Sequence, residues 1–302
     1  MKKILVVILC ILGLLATSVM GCGASETEPV IEAVESSVEE DSAKEEPVKE
    51  EPVKEEPVKE EALVEEDMET TVKGQLMIAA AASLENCLTS EIIPLFNKSY
   101  PEINVTGTYD SSGKLQTQIE EGAEVDVFFS AATKQMKALS DESLIVEGSI
   151  VNLLENKIVL IVPKGRESNY SKFEDIVKAE TIAIGDPESV PAGEYAKESL
   201  SNLGIWEAVI EKVSLGTNVT EVLNWVVEGS ADAGIVYATD AAQTDSVSII
   251  DTAPADSVKQ AVYPVGIVSE AKNADTAALF IEFLQTPEAV AIFEANGFNA
   301  VK

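Results

Sequence analysis

Along residues 74–302 the apolar positions switch repeatedly between two spacings. Short apolar or alternating runs predict strands at Gln75–Ala79, Ile103–Tyr109, Val125–Ser130, Lys157–Val162, Thr181–Ile184, Ala233–Tyr237, Ser246–Ile250 and Val262–Val268. Between them, apolar residues three and four apart predict helices at Leu84–Ser99, Lys114–Glu121, Phe173–Lys178, Ala192–Asn202 and Val219–Glu228. Two more amphipathic helices, Ala274–Gln285 and Pro287–Ala295, close the chain. Strands alternating with helices predict an α/β protein with mostly parallel sheets. A stretch of this length suits two lobes, with a ligand in the cleft between them.

The first residues follow neither spacing. Lys2 and Lys3 precede an almost wholly apolar run, Ile4 to Val19, which is short for a membrane span and is bounded like a secretory leader. It ends Val19-Met20-Gly21-Cys22, which resembles a bacterial lipobox, so residues 1–21 read as a signal peptide and Cys22 as the lipidated N-terminus. The alternative is a retained signal anchor. Residues 22–73 then form a tether. From Gly23 to Lys73 there are 19 acids against 5 bases, and Glu45-Glu46-Pro47-Val48-Lys49 recurs from Glu50 and from Glu55. Such a segment buries too little apolar surface to offset its ordering entropy, and a proline in each repeat blocks a continuous helix. Extended at about 3 Å per residue, it spans on the order of 100 Å.

Composition removes several classes of function. The chain has 53 acids, 21 bases, no histidine and a formal charge of −32. That charge argues against nucleic acid as a partner, because its phosphates need Lys and Arg to displace counterions. A Ser-His-Asp triad, a His-ligated zinc and an imidazole base are excluded outright. Once the leader with Cys10 is gone and Cys22 is lipidated, Cys87 is the one thiol left, so no disulfide framework exists and Cys87 reads as a core residue.

Candidate chemistry sits at the strand-to-helix junctions, where ligands of open α/β sheets bind and helix starts present free N–H groups. Four junctions consist of small or neutral polar residues: Ala79 to Leu84, Asp110 to Lys114, Gly185 to Gly193 and Gly216 to Thr220. Each alone reads better as a helix cap than as a site, because Ser and Asn are good N-caps. Together they point to a small polar or anionic solute, and spacing carries the reading no further than a solute-binding α/β protein.

The residues at these junctions add a resemblance. Ala80-Ala81-Ala82-Ser83-Leu84, Ser111-Ser112-Gly113, Gly122 to Ala131 and Gly185-Asp186-Pro187-Glu188-Ser189-Val190-Pro191-Ala192-Gly193 resemble the molybdate-binding component of molybdate ABC importers, the ModA family. Gly234-Ile235-Val236-Tyr237, Tyr263-Pro264-Val265 and Gly297-Phe298 fit as well, so the likeness covers nearly all of residues 74–302. It implies a two-lobed periplasmic-binding-protein fold (type II) with two crossover strands. Lobe I then comprises residues 74–157 and 264–302, and lobe II residues 158–263. It implies a tetrahedral molybdate or tungstate ligand, held by the hydroxyls of Ser83, Ser112 and Tyr237 and the backbone N–H groups of Ala192 and Val219. No cofactor and no direct cation ligand is implied, because the metal is held through its oxygens. The implied partners are an ABC importer permease and its ATPase, with the chain an extracytoplasmic monomer held to the membrane by lipid on Cys22.

Asp110 departs from that pattern. A carboxylate facing the site would repel a dianion, and either Lys114 neutralises it or it faces solvent. Two rival functions stand beside molybdate binding: capture of sulfate or phosphate on the same fold, and an enzyme using the cleft, which the missing histidines and the lack of a GxxxxGK[ST] loop disfavour. With no histidine to titrate, the site is expected to bind with little change between about pH 6 and 8.

Overall fold

The computed structural model describes residues 73–301. The leader, Cys22 and the acidic repeats fall outside the described residues. The first strand, β1 (Gly74–Ala81), shows how sequence becomes layer. Its side chains alternate: Leu76, Ile78 and Ala80 enter the larger core, while Ala79 turns to a second cluster with Leu115, Phe128 and Met136. The strand is thus buried on both faces and needs helices on both sides.

After β1 the chain coils from Ala82 to Ser99, through a 3₁₀ turn, α1 (Glu85–Cys87), a π turn at Leu88–Ile92 and α2 (Ile93–Ser99). The wide turn lies just ahead of Pro94, whose ring and missing N–H are incompatible with regular α-helical bonding. Next come β2 (Ile103–Asp110), α3 (Ser112–Glu120), β3 (Val127–Phe129), α4 (Thr133–Asp141) and β4 (Val151–Asn156). β5 (Ile158–Pro163), β6 (Ile182–Gly185), α5 (Pro191–Asn202), α6 (Trp206–Val209) and β7 (Val213–Gly216) follow. Then come α7 (Val219–Val227), β8 (Ala233–Tyr237), α8 (Ala238–Ala241) and β9 (Val247–Thr252). The chain finishes with β10 (Ala261–Ile267), α9 (Ala274–Leu284), α10 (Pro287–Ala295) and β11 (Asn299–Ala300).

These strands form two sheets, ordered β11-β4-β10-β3-β1-β2 and β7-β6-β8-β5-β9. The expected predominance of parallel pairing is not found. β1 pairs in parallel with β2 and β3, and β6 with β7 and β8. β10, β4 and β11 are antiparallel in the first sheet, as are β5 and β9 in the second. The reason is topological. β5 and β10 are the first strands after each passage between sheets, and each runs opposite to the βα strand beside it, β5 to β8 and β10 to β3.

The chain leaves the first sheet after Asn156 and joins the second at Ile158. It returns between Thr252 and Ala261, so Tyr263 lies inside β10 of the first sheet and not at the edge of the second lobe as expected. α4, α6, α8, β4, β7 and β11 are absent from the sequence reading. β4 is separated from β5 by Lys157 alone. Cys87 is buried, and burial, then Glu91, pushes its thiol up to about 12, in keeping with a core role.

Candidate functional site

The five positions implied by the resemblance converge. Ser83, Ser112, Ala192, Val219 and Tyr237 line one narrow cavity between the lobes, together with Ala131, Asp110, Ser111, Val190 and neighbouring alanines. Ser83, Asp110 and Ser112 belong to the lobe of the first sheet. Ala192, Val219 and Tyr237 belong to the other.

Local sequence explains why each arrives there. Ser83 follows β1, and Ser112 opens α3 directly after β2. Pro191 fixes the first turn of α5, which places Ala192 where a backbone N–H has no intrahelical acceptor. Val219 opens α7, which Asn218 caps by accepting from Glu221 N at 2.9 Å. Gly193 is required where α5 meets β6: a Cβ there would press on Gly185 O and lie 2.5 Å from Gly185 C. Gly113 does the same between lobes. Its N–H donates to Ser189 O at 2.9 Å, and a side chain would collide with Ser189.

The hydroxyls are already partly engaged. Ser83 Oγ is 3.0 Å from Tyr263 Oη, which also accepts from Asn156 Nδ2 at 3.2 Å. Asn156 Nδ2 also donates to Thr239 Oγ1 at 2.9 Å, so a buried chain runs from Ser83 through the first passage to the second lobe. Ser112 Oγ accepts from Ala131 N at 2.9 Å, which leaves its own proton available. Tyr237 is not the half-buried sheet tyrosine that its place at a strand end suggests. It is buried, and its Oη donates across the cleft to Ala131 O at 3.2 Å. Ser112 and Tyr237 thus hold the Ala131 backbone at its N–H and at its carbonyl, a contact with no signal in the sequence.

Asp110 does line the cavity, yet its oxygens are occupied. Oδ1 accepts from Ser111 N at 2.8 Å, Lys114 Nζ at 3.2 Å and Asn218 Nδ2 at 3.4 Å, and Oδ2 accepts from Lys114 Nζ at 3.3 Å. Of the two readings of Asp110, pairing with Lys114 is the one observed. The Asn218 bond also ties β2 to the start of α7 across the cleft, and a Lys134–Glu194 ion pair adds another polar tie between the lobes.

One titratable group near the cavity escaped the sequence reading. Asp240 is fully buried behind Tyr237, accepting from Tyr237 N at 3.1 Å, and burial pushes its carboxyl up to about 7. Burial likewise raises Tyr237 and Tyr263 well above the ordinary phenol range, so both remain neutral donors. The expectation of little pH dependence rested on the missing histidines and did not weigh this carboxyl. Nothing in the pattern Tyr237-Ala238-Thr239-Asp240 distinguishes a buried acid from a solvated one.

Two sheets joined by two passages, with helix starts and hydroxyls facing each other across a narrow cleft, define a two-lobed binding protein for a small polar solute. The family model for bacterial extracellular solute-binding proteins matches residues 76–299. The "Putative ABC transporter substrate-binding lipoprotein YvgL" of Bacillus subtilis is 44% identical over 228 residues, covering 76% of this chain and 87% of that one. Molybdate-binding protein ModA of Haemophilus influenzae is 37% identical over 234 residues, covering 75% of this chain and 90% of its own. The periplasmic molybdate-binding protein of Azotobacter vinelandii shares the fold, with a TM-score of 0.68 at 24% identity over 75% of this chain and all of that one. The chain belongs to the bacterial extracellular solute-binding protein family, in its ModA group.

Proposed function

We propose that this chain captures molybdate or tungstate outside the cell and delivers it to the permease and ATPase of an ABC importer. The observation that carries the reading is the convergence of Ser83, Ser112, Ala192, Val219 and Tyr237 on one cavity whose lining includes no lysine or arginine. Neutral donors bonded to a charged acceptor contribute about 1.5–3 kcal/mol each. The starts of α3, α5 and α7 add partial positive charge at short range, where dipoles are least screened. This suffices for a dianion despite a chain charge of −32, although long-range steering is unfavourable.

The same inventory sets selectivity. Hydrogenphosphate carries a proton and needs an acceptor, and the one carboxylate on the wall, Asp110, already serves three donors. Burying that proton unpaired costs about 1–3 kcal/mol. Sulfate has shorter bonds and leaves the donors out of reach in a closed cleft. The hydroxyls of the same cavity and its one paired carboxylate support a role in binding. Lipidation at Cys22 anchors the monomer to the outer face of the membrane. The relative named as a lipoprotein supports that part of the reading.

Calorimetry of the full chain with molybdate, tungstate, sulfate and phosphate tests the function. Molybdate and tungstate bind alike and far more tightly than the other two. Tight phosphate binding, or sulfate equal to molybdate, refutes the assignment.

A further inference from the structure

We propose that the Ser111 hydroxyl is a further donor to the bound oxyanion, beside the five contacts named above. This rests on the reading of the cavity as an oxyanion site. Ser111 precedes α3 in the N-cap position, with φ −61° and ψ 143°. A serine there ordinarily turns its hydroxyl onto the N–H of the second or third helical residue. Ser111 does not: its side chain makes no cap bond. The neighbouring donors are served elsewhere. Gly113 N–H goes to Ser189 O of the other lobe, and Ser111 N–H to Asp110 Oδ1.

The hydroxyl is also orphaned. Ser111 is 4% exposed, and its Oγ has no hydrogen-bond partner. Among the described residues three other buried polar side-chain atoms share that condition, in Asn97, Tyr109 and Gln135, and none of these residues lines the cavity. Ser111 does line it, next to Ser112 and opposite Ala192 and Val219. An unpaired buried hydroxyl is unfavourable, and native folds retain one where a partner arrives from outside. An oxyanion oxygen is the acceptor this hydroxyl lacks. Ser112 Oγ already accepts from Ala131 N, so the serine pair divides its work: one braces the wall while donating its proton, the other has both tasks free for ligand.

The test uses the full chain, sodium molybdate, and two variants that remove the hydroxyl differently. Ser111→Ala is a poor N-cap, whereas Ser111→Gly is nearly as good as serine. If Ser111 binds ligand, both variants lose about 10- to 100-fold in affinity, mainly through faster dissociation, while the ligand-free melting temperature of the glycine variant stays near wild type. If Ser111 only caps α3, the glycine variant binds molybdate as wild type does, and the proposal is overturned. Should the alanine variant fail to fold, the glycine variant decides alone. Failure of the unaltered chain to bind molybdate sinks both this proposal and the function it rests on. Binding by wild type with an indifferent Ser111→Gly sinks the proposal alone.

Discussion

Gly113→Ala separates closure of the lobes from stability of the fold. An alanine Cβ at this position would stand 2.7 Å from Ser189 Cα and 2.8 Å from its carbonyl carbon. Carbon atoms in contact sit about 3.5–4.0 Å apart, so the lobes must part by about 0.8 Å along this line. The Gly113 N···Ser189 O bond, now 2.9 Å, then stretches to about 3.7 Å and ceases to count as one. That bond is worth about 0.5–1.5 kcal/mol, and the donors at Ala192 and Val219, riding on the far lobe, weaken at the same time. Together the loss comes to about 2–4 kcal/mol, a factor of roughly 30 to 1,000 in affinity. Stability moves the other way. Gly113 is near the start of α3, where alanine is the better helix former by up to about 1 kcal/mol, so the ligand-free melting temperature holds or rises. Molybdate calorimetry and a thermal melt on the same preparation read both quantities. Affinity within threefold of wild type, or a loss matched by an equal fall in stability, refutes the reasoning.

Asp240 makes binding pH-dependent. Its carboxyl, ordinarily near 3.8, stands at about 7 in the fold, so its favourable contribution to stability is complete below pH 4 and disappears as pH rises through about 7. Its negative charge appears over the same upper range, behind Tyr237, and opposes a dianion. Molybdate affinity therefore falls between pH 6 and 8, and Asp240→Asn flattens the profile; an equally steep profile in that variant removes Asp240 as the cause. Lys114→Ala leaves the Asp110 carboxylate on the cavity wall without its cation. Because the pair is partly exposed, stability changes by less than about 1 kcal/mol, whereas molybdate affinity falls several-fold and is restored by adding Asp110→Asn; calorimetry on the single and double variants checks it, and an unrestored double variant shows that the charge is not the reason. Cys22→Ala releases the protein into the medium or leaves the precursor uncleaved, as read by fractionation and mass; normal processing and attachment exclude the lipobox.

Most of the element order is legible in the sequence, because period-two and period-three-to-four apolar spacing is a local property. The sequence also determined the four small-residue junctions, and the ModA-like motifs at them brought Ser83, Ser112, Ala192, Val219 and Tyr237 together as candidates before any coordinates. What it left open were relations between residues far apart in the chain. Whether Asp110 meets Lys114 or water depends on a side-chain rotamer and on Asn218 arriving from the other lobe. The grip of Ser112 and Tyr237 on Ala131, the reach of Tyr263 to Ser83, and the nearness of Gly113 to Ser189 exist only when two sheets face each other. Asp240 has the same letters around it as any solvated helix-start acid, and only enclosure by Tyr237 and the second sheet raises its carboxyl toward neutrality. Desolvation and contact across a cleft are properties of the assembled volume, which no linear spacing encodes.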